Sequence, residues 1–493
     1  MYRSRPKGNL DKDILNFLSS MNDDQQILNY DIFGSEAHVL MLHDIGILTL
    51  HETKKILTAL EQIRDKPALL TNGAAEDIHE SIESLIIQRI GVDIGGKIQS
   101  GRSRNDQVIL DIRMKVRDDL NHICETIITL ISSLLKKADE NIDTIMPMYT
   151  HLRQAQLGTF SHFAVSYADA LFRDMDRLCI TYVRINQSPL GAGAIGGSRI
   201  KVDRQKTARL LGFDGVVRNS IDATSSRDTI IEYTMDLAII MLTLSRMTED
   251  FIIWSTDEFG YLDISDEYSS SSSAMPHKKN PDPLELLRAK AATVFGNLLT
   301  MITIVKGIPS GYSRDLQEIK TSLWQASATT TKAVIIMNYI VKSLIINKER
   351  MLQASSKSYA ISFDLAELLA VKNGIPFRIA HKMMGLLVQK AISNNRQPLR
   401  MLREEDIQEV LESLGSNLPT EEILNAIRET TPEISVNSRK SLGSPNPKQE
   451  QHTIKLLRKS LSAYSERIAK RRRLVDEALQ NLTSLVINFS KKV

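Results

Sequence analysis

Long stretches with apolar side chains at helical spacing constrain this sequence more than any other feature. Between residues 121 and 141 the apolar side chains fall on one helical face, namely Ile123, Ile127, Leu130, Ile131, Leu134 and Leu135. In residues 227–254 they nearly encircle the helix, and two more long helices are predicted at 284–305 and 322–347. A helix that is apolar on all sides is buried in a large core or in a bundle. The sequence therefore predicts an all-α protein with a central long-helix bundle, and such helices also indicate burial against other subunits.

Composition excludes several classes of function. The chain has 493 residues, which is too long for one ordinary core, so two or three domains are expected. A net charge of +3 and only 5% aromatic residues argue against a nucleic-acid partner. The apolar run 237–242 is far shorter than the roughly 20 residues of a membrane span, and the N-terminus has no apolar signal segment. We therefore expect a cytoplasmic protein with no membrane partner.

Clusters of glycine, proline and serine divide the chain and suggest domain boundaries. The long helices stop between residues 353 and 363, and a final basic helix is predicted from about 449 to 485. Alternating strand and helix units are missing, which argues against a doubly wound sheet. The predicted domains are a helical N-terminal domain (1–111), the central long-helix bundle (112–356) and a helical C-terminal domain with the terminal helix (357–493).

Two motifs match the letters of ligand-binding signatures but lack their context. GAGAIG (191–196) matches the GxGxxG of dinucleotide-binding proteins, yet no set of parallel strands surrounds it. A glycine turn that allows close helix approach is the better interpretation. EDIHESIE (76–83) contains HExxE, but the zinc-protease motif needs a second histidine where Glu83 stands. A polar helix start is the better interpretation, unless His79 lines another pocket.

Two further segments carry side chains suited to chemistry. In GRSRNDQV (101–108), arginine side chains of the kind that bind carboxylates precede a predicted helix. Asn105 or Asp106 is expected to cap that helix, and capping and anion binding are compatible. His151 lies in YTHLRQAQ; a lone histidine is usually structural, but its pKa near neutrality suits proton transfer.

The stretch SSSSSAMPHKKNPDPLELLRAK (269–290) joins a serine run to a predicted helix start. Asp282 fits the N-cap position and Glu285 the third helical position. Lys278 and Asn280 would then lie at the positive end of the helix and form an anion site, near which a serine loses its proton more readily. From these residues alone two interpretations stay open, a flexible linker and a lid that closes over a carboxylate-bearing substrate.

The same stretch resembles the signature of the fumarase/aspartase superfamily, whose members cleave C–N or C–O bonds by β-elimination and release fumarate. Other segments are similar to one family within it, the argininosuccinate lyases. These segments are DIFGSEAHVLMLHDIGILT (31–49), EDIHESIE, GGKIQSGRSRNDQV (95–108), YTHLRQAQ (149–156), PLGAGAIGGS (189–198), NSIDATSSRD (219–228) and GYSRDLQEIK (311–320). Weaker similarity continues to residue 381, so the resemblance covers nearly the whole chain.

The resemblance implies a fold and an activity. Its members are almost entirely helical, and their central bundle forms the core of a homotetramer whose active sites combine loops of three subunits. The implied reaction is the reversible β-elimination of L-argininosuccinate to L-arginine and fumarate in arginine biosynthesis, through an aci-carboxylate intermediate. Residues 265–283 would be the catalytic loop. The resemblance implies no metal and no organic cofactor, because the substrate's own carboxylate holds the charge.

The resemblance also implies the site residues. Ser272 aligns with the family's catalytic serine and is assigned as the base, and His151 aligns with the histidine that transfers the other proton, although the reverse assignment stays open. Glu285 aligns with the charge partner of His151, while Lys278 and Asn280 stabilise the developing charge. The implied substrate contacts are Ser35, Asn105, Thr150, Tyr312, Gln317 and Lys320, and Arg102, Arg104, Asp77 and His79 are expected to line the same cleft.

The sequence departs from the family at a few nearby positions. Ser271 stands where glycine usually precedes the catalytic serine, which affects how the loop moves. His277 replaces glutamine, and Arg314 replaces lysine, which keeps the charge but changes its geometry. Two rival functions stay open: a sister lyase acting on adenylosuccinate, aspartate or malate, and a non-catalytic structural protein like the lens crystallins of this superfamily.

Overall fold

The N-terminal part of the chain folds into short and medium helices. The structure is a computed structural model that describes residues 11–70 and 75–491. The first helices are α1 (Lys12–Leu18), α2 (Met21–Asp24), α3 (Leu28–Asp44), α4 (Leu50–Asp65), α5 (Ile78–Ile90) and α6 (Val92–Gly95). Of these, α3 packs on α4 and α4 on α5. A capping box between Thr49 and Glu52 fixes where α4 begins.

Five long helices form the centre of the molecule. The helices that follow are α7 (Arg104–Glu140), α8 (Phe160–Ile185), α9 (Arg204–Leu210), α10 (Ser220–Ser225), α11 (Asp228–Trp254), α12 (Asp282–Val305) and α13 (Ile319–Ser343). α7 packs against α8 and α13, and α11 packs against α8, α12 and α13. The predicted apolar face of α7 is buried at all six positions. The predicted central bundle of long helices is therefore confirmed.

Strands are few and short, as expected for an all-α fold. β1 (Ile145–Thr150) and β2 (Arg153–Thr159) form an antiparallel hairpin between α7 and α8. The other strands have two residues each: β3 (Gln187–Ser188), β4 (Gly215–Val216), β5 (Leu262–Asp263), β6 (Ser270–Ser271), β7 (Lys279–Asn280) and β8 (Ile345–Ile346). They pair as β3–β4, β5–β8 and β6–β7. Single 3₁₀ turns lie at Pro67–Leu69, Gly96–Gln99, Asp266–Tyr268, Arg314–Gln317 and Leu399–Met401.

The C-terminal helices divide between two cores. They are α14 (Lys348–Lys357), α15 (Ser362–Asn373), α16 (Phe377–Ser393), α17 (Glu404–Ser413), α18 (Thr420–Glu429), α19 (Pro432–Asn437) and α20 (Pro447–Lys491). Helices α15 to α18 bury an apolar core of their own. Four buried side chains of α20, Ile454, Ile468, Leu482 and Val486, belong instead to the large core that contains the bundle.

The division into domains 1–111, 112–356 and 357–493 stays a prediction. α7 runs continuously across residue 111, and α20 packs along α7 although it follows the C-terminal core in sequence. None of the described helices combines the length and the hydropathy that a membrane crossing requires.

Two predicted helix caps are wrong. α7 is capped by Ser103 and not by Asn105 or Asp106, because Ser103 has an extended backbone and its hydroxyl accepts from the Asn105 N–H (3.3 Å). Asp106 completes the capping box by accepting from the Ser103 N–H (2.9 Å). α12 begins at Asp282, which is therefore its first residue and not its cap, and the Asp282 carboxylate accepts from the Ser270 hydroxyl.

Candidate functional site

One group of predicted site residues meets where α7 begins. Arg102 Nη1 donates to Ser35 Oγ of α3 (3.1 Å), and Arg104 Nη1 donates to the Asp77 carboxylate. Asp77 also caps α5, as its Oδ1 accepts from the Glu80 N–H (2.8 Å), which confirms that EDIHESIE starts a helix. Burial opposes ionisation of Asp77, but the neighbouring His79 and Arg104 hold the pKa of this carboxyl below its ordinary value.

The turn between α12 and α13 brings three more predicted residues to the same end of the bundle. Gln317 Nε2 donates to the Tyr312 hydroxyl (2.7 Å), and burial raises the pKa of Tyr312. Lys320 is fully buried and forms an ion pair with Asp24 of α2. Arg314, where the family has lysine, donates from Nη1 to Glu76 (2.8 Å) and from Nη2 to the backbone oxygen of Leu18 (2.6 Å).

The glycine motif GAGAIG lies against the start of α7. Asp106 Oδ2 accepts from the N–H groups of Gly191 (2.9 Å) and Gly193 (2.8 Å), and Asn105 Nδ2 donates to the Ala194 oxygen (2.9 Å). Gly193 has φ +66°, and a Cβ there would lie 2.6 Å from the Gly197 backbone oxygen. Only glycine fits this turn. The interpretation as a close-packed glycine turn is confirmed, and β3, the strand before it, pairs only with the two-residue β4.

His79 is buried and contacts acids of two other helices. Its Nδ1 lies 3.0 Å from Asp31 Oδ1 and 3.5 Å from Asp111 Oδ2. The ligand atoms of these three side chains lie within 4.8 Å of one another, and no other set in the described residues has metal-like spacing. The positive charge of Arg102 acts on both acids, which disfavours a cation between them. Glu83, the last residue of HExxE, instead accepts from Gln99 Nε2 (2.9 Å).

The β1–β2 hairpin holds Thr150 and His151 at an exposed tip. Thr150 pairs with Arg153, so His151 and Leu152 form a two-residue turn. Both have positive φ, +54° and +56°, as in a type I′ turn. Non-glycine residues seldom adopt this conformation outside sites with a special geometric demand. Leu152 is 75% exposed at the tip.

The catalytic-loop segment forms a small hairpin in front of α12. Ser271 pairs with Lys279, and the Ser272 hydroxyl oxygen accepts from the N–H groups of Ala274 (3.3 Å) and Met275 (3.0 Å). Lys279 makes ion pairs with Asp263 (3.0 Å) and Asp266 (2.9 Å).

A cavity of about 1160 Å³ opens beside this hairpin, and its lining includes Met275, His277, Lys278, Asn280 and Glu285. Among the residues that the structure describes, neither Lys278 nor Glu285 makes an ion pair. Their charges are thus available to a ligand or to another chain. Pro281 precedes α12 and gives its first turn no side-chain cap, and the N–H groups of Leu284 (2.9 Å) and Glu285 (3.2 Å) both donate to the Pro281 oxygen.

Within one chain these residues lie at opposite ends of the bundle. α7 has 37 residues and therefore spans about 54 Å, from Arg104 at one end to the β1–β2 hairpin at the other. The loop 265–283 lies at the hairpin end, because Tyr261 just before it hydrogen-bonds Tyr149 of β1 (2.6 Å). In the described residues no hydrogen bond or ion pair joins His151 to Ser272 or Glu285. Each copy of the chain therefore holds two separate and incomplete parts of the predicted site, one at each end of its bundle.

Sequence reasoning missed Arg227, which the structure places near Tyr312 at the end of the bundle where α7 begins. Arg227 is 1% exposed, and its Nη1 donates to the backbone oxygens of Thr224 (3.2 Å) and Ser226 (3.1 Å). Its Nε and Nη2 have no partner in the described part of the chain, and its charge interacts with Tyr312. Burial lowers its pKa to about 10. Its place in NSIDATSSRD was the only signal available in the sequence.

Two family profiles and several curated relatives match this chain. A family profile described as lyase matches residues 5–296, and one described as argininosuccinate lyase C-terminal matches residues 359–431. The argininosuccinate lyase of Nitrosopumilus maritimus (strain SCM1) is 45% identical over 98% of this chain and 98% of its own length. That of Methanocaldococcus jannaschii (strain ATCC 43067 / DSM 2661 / JAL-1 / JCM 10045 / NBRC 100440) is 38% identical over 98% and 97%.

A solved structure extends the agreement to the fold. The crystal structure of EDDS lyase in complex with formate superposes with a TM-score of 0.87 at 30% sequence identity, covering 97% of this chain and 94% of that one. Sequence, fold and site motifs thus agree over almost the full length. The chain belongs to the argininosuccinate lyase family of the fumarase/aspartase superfamily.

Proposed function

We propose that this protein catalyses the reversible β-elimination of L-argininosuccinate to L-arginine and fumarate. The observation that carries the proposal is the match along the whole chain to argininosuccinate lyases, with every implied catalytic side chain present at its motif position. A structural protein of this fold would be free to lose such residues. Ser272, His151, Lys278, Asn280 and Glu285 are all retained.

The proton-transfer step uses Ser272 and His151 in the proposed mechanism. The two backbone N–H groups that donate to Ser272 Oγ favour its deprotonated form, which suits a base. Ser272 Oγ takes the carbon-bound proton next to the substrate carboxylate, and the electron pair moves into that carboxylate as an aci-carboxylate. The electron pair then returns from the aci-carboxylate to form the C=C bond of fumarate, the C–N bond breaks with its electron pair leaving on the guanidino nitrogen, and His151 gives that nitrogen a proton.

The developing charge needs positive groups that are already in place. Lys278 and Asn280 supply them in this proposal, because both line one cavity in front of α12. Glu285 would orient and tune His151 from a neighbouring copy. The substrate's own carboxylate carries the charge, so the step uses only groups of the chain and the substrate.

The opposite end of the bundle would hold the rest of the substrate. Ser35, Asn105, Tyr312 and Gln317 offer hydroxyl and amide groups there, and Lys320 would exchange its ion pair with Asp24 for the substrate. Arg227 adds two unpartnered N–H donors beside Tyr312. A planar guanidinium of this kind binds a carboxylate through two hydrogen bonds, so Arg227 joins the proposed substrate contacts.

We propose that the complete site forms between copies of the chain in a homotetramer. Two features support this: the halves of the site lie at opposite ends of one bundle, and long helices carry exposed apolar side chains, including Ile180, Leu242, Leu286 and Leu299. Helices packed side by side in opposite directions would bring unlike ends together and cover these side chains.

Incubation of the purified protein with argininosuccinate tests the activity. Fumarate should accumulate by ultraviolet absorbance with an equal amount of arginine by chromatography, and the Ser272→Ala variant should lose nearly all turnover. Ser273→Ala, one residue along and outside the ladder, is the matched control and should stay active. A folded wild-type protein that is inactive on argininosuccinate but releases fumarate from adenylosuccinate or aspartate would contradict the proposal and identify a sister lyase.

A further inference from the structure

A buried group of acids lies beneath the substrate end and has no part in the mechanism above. Asp31 of α3 and Asp111 of α7 are both 0% exposed, and His79 of α5 is 1% exposed. One atom of each lies within 4.8 Å of the other two. We call these three side chains the acid–imidazole cluster.

Two carboxylates this close in a dry interior cannot both be ionised, so one of them carries a proton. Asp31 Oδ1 accepts from both His79 Nδ1 (3.0 Å) and Gln107 Nε2, which stabilises its negative charge. In the described part of the chain neither oxygen of Asp111 accepts from an N–H group at hydrogen-bonding distance. The proton therefore resides on Asp111.

Electrostatics around the pair agree with this assignment. Burial and the negative charge of Asp31 raise the pKa of Asp111 well above its ordinary value. Burial acts on Asp31 as well, but His79, Arg102 and Gln107 overcome it and hold the pKa of Asp31 below its ordinary value. The pKa values of the two acids are thus shifted in opposite directions, so that Asp111 is neutral and Asp31 is ionised.

We propose that Asp111 is a neutral, proton-carrying positioning residue that holds the substrate end of the site through Asp31 and His79. This inference rests on the proposed function. Asp31 lies one turn before Ser35 on α3, His79 lies two residues after Asp77, and Asp111 lies two turns after Arg104 on α7. The cluster therefore fixes three helices whose ends carry substrate-binding side chains.

The charge balance predicts an alkaline limit to activity. The groups that face Asp111 are Asp31, His79, Arg102 and Asp24, the last paired with Lys320. Because the folded-state pKa of Asp111 is raised, its stabilising contribution is complete below the ordinary aspartate pKa and is lost as pH rises through the folded-state value. Ionised Asp111 would then repel Asp31 and loosen the three helices.

Two substitutions of Asp111 distinguish a neutral side chain that donates a hydrogen bond from an ionised carboxylate. Asp111→Leu removes the hydrogen-bonding group and should lower kcat/KM by about 100-fold, mainly through KM, because Asp31 loses a buried partner. Asp111→Asn mimics the protonated acid and should restore kcat/KM to within about threefold of wild type, since an amide can donate as the neutral carboxyl does. It should also extend activity to higher pH. Asp143→Leu, at an exposed position, is the control.

Infrared difference spectra test the proton without relying on turnover. Wild type minus Asp111→Asn should show the C=O stretch of a neutral buried carboxyl group at the pH at which activity is measured. If that band is missing, Asp111 is ionised and the inference fails even when the lyase activity is present. An Asp111→Asn protein as impaired as Asp111→Leu, or one that loses a stoichiometric divalent cation held by the wild type, would also overturn it. If wild type shows the band but no lyase activity, the proposed function fails and the neutral Asp111 stands.

Discussion

Asp106 shows how a single buried side chain joins two motifs that are separate in sequence. Its Oδ1 caps α7 through Ser103, and its Oδ2 accepts from two N–H groups of the glycine turn 85 and 87 residues away. The residue is 0% exposed, and burial raises its pKa to about 6 against these hydrogen bonds. Asn105, a proposed substrate contact, is positioned by the same junction.

Substitution of Asp106 should therefore destabilise the fold and the site together. Asp106→Ala leaves buried N–H donors without acceptors, and we expect the free energy of unfolding to fall by about 3 kcal/mol. Urea denaturation followed by circular dichroism measures this loss. Asp143→Ala, at an exposed position near the far end of α7, is the control and should change the free energy of unfolding by less than about 0.5 kcal/mol. Equal midpoints for the two variants would show that the glycine turn is held by other contacts.

At the residue scale, motifs predicted which side chains matter but not what they contact. Tyr312 and Gln317 were placed near each other by the segment that carries them, and they hydrogen-bond as neighbours. Asp24 pairs with Lys320 across 296 residues of sequence, and nothing in a local pattern indicates that contact. In the sequence, Asp31 and Asp111 cannot be distinguished from exposed polar residues of a helix. Their burial results from the packing of three helices, which a local pattern does not show.

At the element scale, the loop 265–283 combines features of both interpretations that the sequence left open. The serine run has little regular structure, as a linker would, but Ser270 and Ser271 form a ladder with Lys279 and Asn280. Ser272 N donates to the Lys278 oxygen (3.2 Å) and extends that ladder. The hairpin holds Ser272 in a fixed relation to Lys278, and Ser271 stands at the position where relatives have glycine.

Restoring glycine at position 271 should loosen this hairpin. Glycine in a strand costs about 0.5–1 kcal/mol relative to a residue with a side chain, so Ser271→Gly should open the loop about two- to fivefold more often. Limited proteolysis within residues 265–283 measures the opening, and Ser273→Gly, outside the ladder, is the control. Unchanged cleavage in Ser271→Gly relative to wild type would mean that the ladder does not limit loop opening.

The long helices were predictable and the β1–β2 hairpin was not, for physical reasons. Twenty or more residues of periodic apolar spacing predict where α11 and α12 begin and end to within a few residues. The hairpin has Pro147 in its first strand, and its turn residues are His151 and Leu152, whereas Asn-Gly is the usual signal for a type I′ turn. The turn residues are both exposed, and in our proposal their conformation is set by the position that His151 must occupy in another copy.

At the scale of the whole molecule, the exposed apolar side chains on the bundle and the divided site point to the same arrangement. Leu299 of α12 and Ile180 of α8 are 65% and 54% exposed, which a helix surface facing water seldom shows repeatedly. α11 has 27 residues, so its ends lie about 40 Å apart. A local loop movement cannot close such a distance, whereas a second copy can.

His151 and Ser272 lie on separate loops with no hydrogen bond between them in the described part of one chain, so mixing two inactive variants should restore activity in the proposed tetramer. Ser272→Ala and His151→Asn each remove one of the proposed proton-transfer groups, and hybrids can contain sites with an intact serine from one chain and an intact histidine from another. After dissociation and random reassociation of equal amounts, about a quarter of the sites should be intact if the two residues come from different chains, and none if they come from one. Fumarate release measures the fraction. The double variant mixed with wild type is the control, because it also leaves about a quarter of sites intact in a shared arrangement but half in an unshared one. No recovery after verified subunit exchange would contradict the shared site.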